Sequence, residues 1–253
     1  MRWSAVITAG GITPAELATA TNAPHKALAK VGGKTSIQRV IDAIRAAHVE
    51  EIVVVADDKV LASLDDYLLT ATPGHNPASS ARSGVDKLNN PEAILFIPAD
   101  TPLLEPAHLQ QFSSAIIRRV RQEAWLAIGL CRAAEITKIN APHKPIKLKG
   151  YPAVASSLMA ASASGFSNAL NVVEKASANR KSQLKIAMTA GLLNLIRYLT
   201  GTLTLSRAEM AAGRILRSQA IIIQDCHPHS ALDIDDVADW HHLKEYARRL
   251  GLE

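Results

Sequence analysis

Ser4-Ala5-Val6-Ile7-Thr8-Ala9-Gly10-Gly11 is the stretch on which the fold turns. Its first five residues carry no charge and read as a buried strand, which two glycines then stop. Working outward, Ile37, Val40, Ile41 and Ile44 recur at helical spacing and predict a helix over Ser36–Ala47. Glu51–Ala56 is a second strand, apolar almost without interruption, as a parallel sheet buried on both faces requires. Ala71–Ser83 is polar and reads as a loop, and Ala93–Pro98 is a third strand. Pro106 opens a helix with Leu109, Phe112, Ile116 and Val120 on its apolar face, and Trp125–Cys131 returns to strand. Strand and helix alternating in this way predict a doubly wound α/β fold.

The second half changes character. Pro142–Lys149 looks extended, and Ala155–Gly165 is rich in small residues that favour no element. Leu184, Met188, Leu192, Leu195 and Leu199 mark an amphipathic helix. Ser206, with Glu209 three residues on, has the spacing of a capping box for the next helix. Gln219–Gln224 reads as strand, and Trp240, Leu243, Ala247 and Leu250 line a last helix. The 253 residues are therefore expected to form one domain, with 151–217 a mostly helical elaboration on it.

Composition narrows the function classes. Hydrophobic residues at 48% and charged ones at 20% are globular values, so disorder is excluded. No apolar run is long enough for a membrane span, and no leader pattern opens the chain, so a soluble cytoplasmic protein is expected. Cys131 and Cys226 form no C-x-x-C pair and read as buried thiols. The net charge of +5 is unevenly spread. Between Arg118 and Lys149 the only acids are Glu123 and Glu135, and between Lys175 and Arg217 the only one is Glu209. That bias suits an anionic small substrate or a solvated face equally well. It lacks the interleaved aromatics of a nucleic-acid platform, so no nucleic-acid partner is expected.

Four motifs can carry chemistry. Ala9-Gly10-Gly11 can let a bulky anion approach the backbone, although a Gly-Gly pair after a strand is most often only a turn. It is neither a dinucleotide fingerprint nor a Walker A loop. Lys26, in Lys26-Ala27-Leu28-Ala29-Lys30-Val31-Gly32-Gly33-Lys34, can neutralise triphosphate charge if the chain folds back over the strand end; otherwise it is a surface lysine. Asp100, in Pro98-Ala99-Asp100-Thr101-Pro102, follows a central strand where open α/β sheets bind ligands, and its hard oxygens suit Mg²⁺. Pro102 and Pro106 place the next helix too late for Asp100 to cap it. Asp233-Ile234-Asp235 should aim both carboxylates to one side of a short strand, with Asp236 or Asp239 serving the last helix. One metal ligand among these four acids is expected. The nine histidines, His227, His229, His241 and His242 among them, show no metal-ligand spacing.

Together, Ala5–Gly11, Lys26-Ala27-Leu28, Gly32-Gly33-Lys34, Pro98–Leu103 and Asp233–Asp235 resemble, in order along the chain, the MobA-like nucleotidyltransferases. The resemblance implies a Rossmann-like, GT-A-like three-layer fold with a mixed, mostly parallel sheet of about seven strands. It implies a nucleoside triphosphate, a phosphorylated small-molecule acceptor, Mg²⁺ or Mn²⁺, and attack at the α-phosphate with release of pyrophosphate. Ala9, Gly10 and Gly11 would approach the nucleotide, Lys26 its phosphates, and Asp100 and Asp235 the metal. The loop bearing Ser79, Ser80 and Ser83 would face the base. Relatives usually carry an Arg in a pattern like G-G-x-G-x-R, whereas Ile12-Thr13-Pro14-Ala15-Glu16 has no basic residue. Arg180, Lys181 or another cation would take its place, or activity would be lower than in the relatives, and Arg180 and Lys181 are the residues expected to meet the acceptor. A homodimer is left open. A glycosyltransferase using a nucleotide sugar and a non-catalytic nucleotide binder are the alternatives, and pyrophosphate release separates both from transfer.

Overall fold

The computed structural model describes residues 1–10, 13–64, 68–141, 145–177 and 192–252. Its main sheet has seven strands in the order β5-β4-β1-β6-β8-β7-β9. These are β1 (Trp3–Thr8), β4 (Glu51–Val55), β5 (Leu69–Ala71), β6 (Ala93–Pro98), β7 (Trp125–Arg132), β8 (Ala153–Ser162) and β9 (Gln219–Ile223). All pairings are parallel except those of β8, which runs antiparallel to both β6 and β7. The expected mixed, mostly parallel α/β sheet is present.

The apolar runs are explained by two covered faces. On β1, Ala5 and Ile7 enter the large core with Val54, Leu95 and Ile97, whereas Val6 points the other way to Val53, Val55 and Ile94. Over the first face lie α2 (Ser36–Ala46) and α5 (Pro106–Arg119), contributing Ile37, Val40, Ile44, Leu109, Phe112 and Ile116, as their periodicity predicts. The last helix, Val237–Arg249, joins them through Trp240, Leu243 and Ala247. On the second face α4 (Pro77–Val85) packs so closely that a Cβ on Gly84 would stand 2.5 Å from Val6 Cγ1. A small two-stranded hairpin, β2 (Lys30–Val31) and β3 (Lys34–Thr35), turns through Gly32 and Gly33, both at positive φ.

Several expectations are corrected. Ala71–Ser83 is not all loop. Asn76 and Ser79 form a capping box and Pro77 takes the first helical position, so a helix begins at Pro77. The segment 151–217 is not mostly helical from its start, because its first element is β8, a ten-residue strand inside the sheet. Helices follow at Ala163–Ser177, Leu192–Leu199 and Leu205–Leu216. Positions 184–191 of the expected amphipathic helix lie outside the described residues. Ser206 is not a cap. Thr204 caps instead, accepting from Arg207 N–H, while Glu209 receives Arg119 through both oxygens, at 2.8 and 3.0 Å, and Ile222 N–H at 2.7 Å. Arg119 and Arg132, paired with Glu209 and Asp225, show that part of the basic excess is matched within the fold. Among the described residues, no helix is long and apolar enough to cross a membrane.

Candidate active site

The site is built where β1 and β6 end. Beyond Thr8 the chain continues into Ala9-Gly10, and Ala9 N–H donates to Val55 O at 2.9 Å. After Pro14, α1 (Ala15–Thr21) runs away from the sheet and stops at Asn22, which takes a left-handed conformation. The Trp240 indole N–H donates to Ala20 O and anchors this helix against the last one. The chain then returns in a 3-10 turn at Lys26–Leu28, whose entry is held by Lys26 N–H donating to Thr13 Oγ1 at 3.0 Å. Lys26 therefore does come back to the glycine turn. Thr8, Gly10, His25, Lys26, Pro98 and Asp100 line one cleft of about 160 Å³.

Asp100 reaches this cleft from the end of β6. Ala99 N–H donates to Thr8 O at 2.9 Å, and Ser36 Oγ donates to Ala99 O at 2.7 Å, so the backbone carrying Asp100 is fixed from two sides. The Asp100 side chain is 8% exposed. One of its oxygens, Oδ2, contacts the Lys26 ammonium; the other, Oδ1, is buried without a hydrogen-bond partner. Lys26 Nζ also donates to Asp235 Oδ1 at 2.8 Å.

The segment bearing Asp235 is not the strand expected. It has no ladder partner, and Ile234 N–H instead donates to Asp100 O at 3.1 Å. Ile234 is buried, and the acids on either side of it stay near Asp100. Asp236 caps the final helix in a capping box with Asp239, the role expected of that pair. Asp100 caps nothing, since α5 is capped at Glu105.

Charge is strongly coupled here. Burial works against the Lys26 ammonium, but Asp100 and then Asp235 outweigh it and push the group up to about 12. Burial pushes the Asp233 carboxyl up to about 6, and Asp235 and Asp100 add to the rise. Three carboxyl groups thus crowd one ammonium, an arrangement with unmet negative charge.

Other expected residues stand elsewhere. Ser79, Ser80 and Ser83 sit on α4 rather than on a loop and do not line the cleft. Their hydroxyls are engaged locally, Ser79 with Asn76, Ser80 with Gly74 and Ser83 with Thr72. They shape the 72–76 loop instead of facing the cleft themselves. Gly11, Arg180 and Lys181 lie outside the described residues. Sequence reasoning missed His25, which lines the cleft and whose Nε2 lies 3.2 Å from Asp57 Oδ2. It also missed Pro73, whose ring would stand 3.4 Å from a Cβ placed on Gly10. The fold brings together three histidines that share no metal-ligand spacing in the sequence, His108, His227 and His229.

Comparison with known proteins fits this geometry. The family model of the MobA-like NTP transferase domain matches residues 5–162. The 3-deoxy-manno-octulosonate cytidylyltransferase of Vibrio cholerae serotype O1 (strain M66-2) is 26% identical over 144 residues, 52% of this chain and 55% of that protein. The enzyme of the same description from Rhodospirillum centenum (strain ATCC 51521 / SW) is 27% identical over 146 residues, covering 54% and 56%. The chain spans about half the length of the curated relatives it matches. Among solved structures, a hypothetical transferase from Thermus thermophilus superposes with a TM-score of 0.78 at 22% identity, covering 94% of this chain and 99% of the other. A 4-diphosphocytidyl-2C-methyl-D-erythritol synthase from Anaerococcus prevotii DSM 20548 gives 0.59 at 14%, covering 98% and 99%. At these identities the likeness to the solved structures is one of fold.

Proposed function

Because this chain belongs to the MobA-like NTP transferase family, we propose that it transfers a nucleotidyl group from a nucleoside triphosphate to a phosphorylated small-molecule acceptor, releasing pyrophosphate with the help of Mg²⁺ or Mn²⁺. The observation that carries the proposal is the union of Lys26, Asp100 and Asp235 beside Gly10, with Asp100 Oδ1 buried and unpartnered. An orphaned buried carboxylate oxygen is costly unless a ligand meets it. The donor set suits a hard divalent cation, which takes one or two carboxylates and fills its other positions with phosphate oxygens and water. Asp100 and Asp235 would hold it, and when bound it would neutralise charge building on the phosphates.

The chain's own residues then divide the work. Gly10 has no side chain to keep the triphosphate from the backbone. Lys26 now closes the cleft by pairing with both carboxylates, and the volume left is below the ~300–1,000 Å³ of usual small-molecule sites. With a nucleotide in the cleft, Lys26 would leave Asp100 and turn its ammonium to the phosphates, whose negative charge would keep it protonated. There it stabilises the charge of the departing pyrophosphate. No general base is needed, because an acceptor phosphate arrives ionised, so catalysis is positioning and charge neutralisation. The curated relatives are cytidylyltransferases, so CTP is the first nucleotide to try.

The test is pyrophosphate release with CTP, GTP, ATP and UTP across a panel of sugar and polyol phosphates, beside thermal shifts with and without Mg²⁺. A Mg²⁺-dependent shift with one nucleotide, absent in Asp100→Ala, supports the proposal. No shift with any nucleotide at millimolar concentration overturns it. A shift without pyrophosphate from any acceptor would support a binder that has lost turnover.

A further inference from the structure

The proposed transfer site does not use a second polar cluster made by His108, His227, His229 and Glu105. Glu105 caps α5 and His108 sits in its first turn, while His227 and His229 belong to a 3-10 turn after β9. One ligand atom from each histidine lies within 4.8 Å of the others. His108 is 7% exposed, His229 6%, and His227 is the most accessible of the three. Burial lowers all three from the usual imidazole range, and for His108 burial and then the neighbouring histidines bring it to about 4.

Buried histidine nitrogens ordinarily carry hydrogen bonds, and one in this cluster does not. His229 Nδ1 is buried and has no hydrogen bond. Glu105 Oε1 lies 3.5 Å from it, and Glu105 Oε2 lies 4.0 Å from His108 Nε2. Those gaps do not make hydrogen bonds. They are close to the separation of two ligands on one tetrahedral ion, about 3.3 Å for bonds of about 2.0 Å. The Glu105 carboxylate would repel an anion from the same space.

We propose that His108, His227, His229 and Glu105 bind one divalent first-row transition-metal ion, for which zinc has the best-matched geometry, separately from the Asp100 and Asp235 carboxylates. Three imidazoles and a carboxylate suit a borderline cation, whereas Mg²⁺ takes oxygen ligands. His229 would coordinate through Nδ1 and keep its Nε2 proton for the Tyr246 hydroxyl, 3.2 Å away, as an outer partner that holds the ring. His108 Nδ1 accepts from Glu105 N–H at 3.1 Å and His227 Nδ1 from His229 N–H at 3.3 Å, which leaves Nε2 of each ring as the ligand atom. Coordination there moves each ring's proton to Nδ1 and gives up these two bonds. It also turns apart the rings of His108 and His227, now stacked at 4.1 Å and 11°. Two neutral hydrogen bonds and one ring contact are small against coordination by three imidazoles. The ion would fasten the segment after Asp100 to the one leading to Asp235.

The test is titration of chelator-treated, full-length protein with Co²⁺ in excess Mg²⁺, read by visible absorption and followed by displacement with Zn²⁺. The expected result is a one-to-one rise of the intense bands of four-coordinate Co²⁺, removed by Zn²⁺. His227→Ala abolishes the bands, and Glu105→Gln weakens binding on the order of tenfold or more. Asp235→Asn leaves them in place. Glu105 is 59% exposed, so its variant decides the matter even if a histidine variant does not fold. The proposal is overturned by weak, octahedral-type absorption only, by bands that survive both His227→Ala and Glu105→Gln, or by bands lost in Asp235→Asn. Stabilisation by inorganic phosphate with no cobalt band would make the pocket an anion site and overturn it equally.

Discussion

Residues 100–108 and 227–235 carry two polar clusters within a few positions of each other, and the two tolerate burial by opposite means. At Asp100 the acids gather around Lys26, which pairs with two of them. At His108 the neighbours are other imidazoles, and burial together with them lowers the ring to about 4. Each leaves one buried atom unpartnered, Asp100 Oδ1 in the first and His229 Nδ1 in the second. The donor chemistry differs where the geometry is alike. Oxygen ligands with a mobile counter-ion suit a hard cation that arrives with a phosphate, and neutral nitrogens suit a borderline ion that stays. On the two proposals made above, neighbouring sites would sort two metals without any difference in fold.

Four substitutions sharpen or break that contrast. The largest effect belongs to Asp100→Asn, which should lower pyrophosphate release on the order of 10²–10³-fold, the loss typical of removing one preorganised charge partner. Its cobalt spectrum should be that of the unchanged protein; a joint loss would merge the two clusters into one site. Lys26→Met strands Asp100 without a counter-charge. Breaking a fully buried pair costs about 3–5 kcal/mol, but Lys26 is 31% exposed, so about 1–3 kcal/mol is expected in urea unfolding. An unchanged midpoint would mean that Asp100 needs no partner. Asp236→Ala removes the cap of the final helix and should cost about 1 kcal/mol, seen as a lower Tm. Since that helix carries Tyr246 and directly follows Asp235, cobalt and nucleotide affinity should weaken together. Smallest is Tyr246→Phe, which takes the hydroxyl from His229 Nε2 for about 0.5 kcal/mol and should loosen cobalt while leaving the nucleotide-induced thermal shift intact.

What could be read in the chain follows from how local each signal is. The strands at Ala5–Ile7, Ile52–Val55 and Ile94–Ile97 are unbroken apolar runs, and the helices at Ile37 and Leu109 show a clear 3.6-residue period. Strand β8 escaped because Ala153-Val154-Ala155-Ser156-Ser157-Leu158-Met159 is poor in the branched and aromatic residues that mark strands. Its position between β6 and β7, not its own preference, makes it extended. Thr204 and Ser206 are both able to cap, and only the pairing of Glu209 with Arg119 and Ile222 separates them. Lys26 and Asp100 could each be singled out in the chain, the one for a return towards the glycines and the other for its place after a central strand, but the pairing of the two could not. The histidine cluster was not, because it joins Glu105-x-x-His108 to His227-x-His229 across most of the second half. Each fragment is short and common, and together they form a constellation only in space.

The bond between Lys26 and Asp235 spans 209 residues. A chain emerging from the ribosome can pair β1, β4 and β6 long before Asp235 exists, yet Lys26 then has only Asp100 beside it. Contacts of such sequence separation form late and slowly. On the proposed reading the pairing around Lys26 is therefore completed only once residue 235 has been made, and a chain stopped before it would keep Gly10 and Asp100 without Asp235.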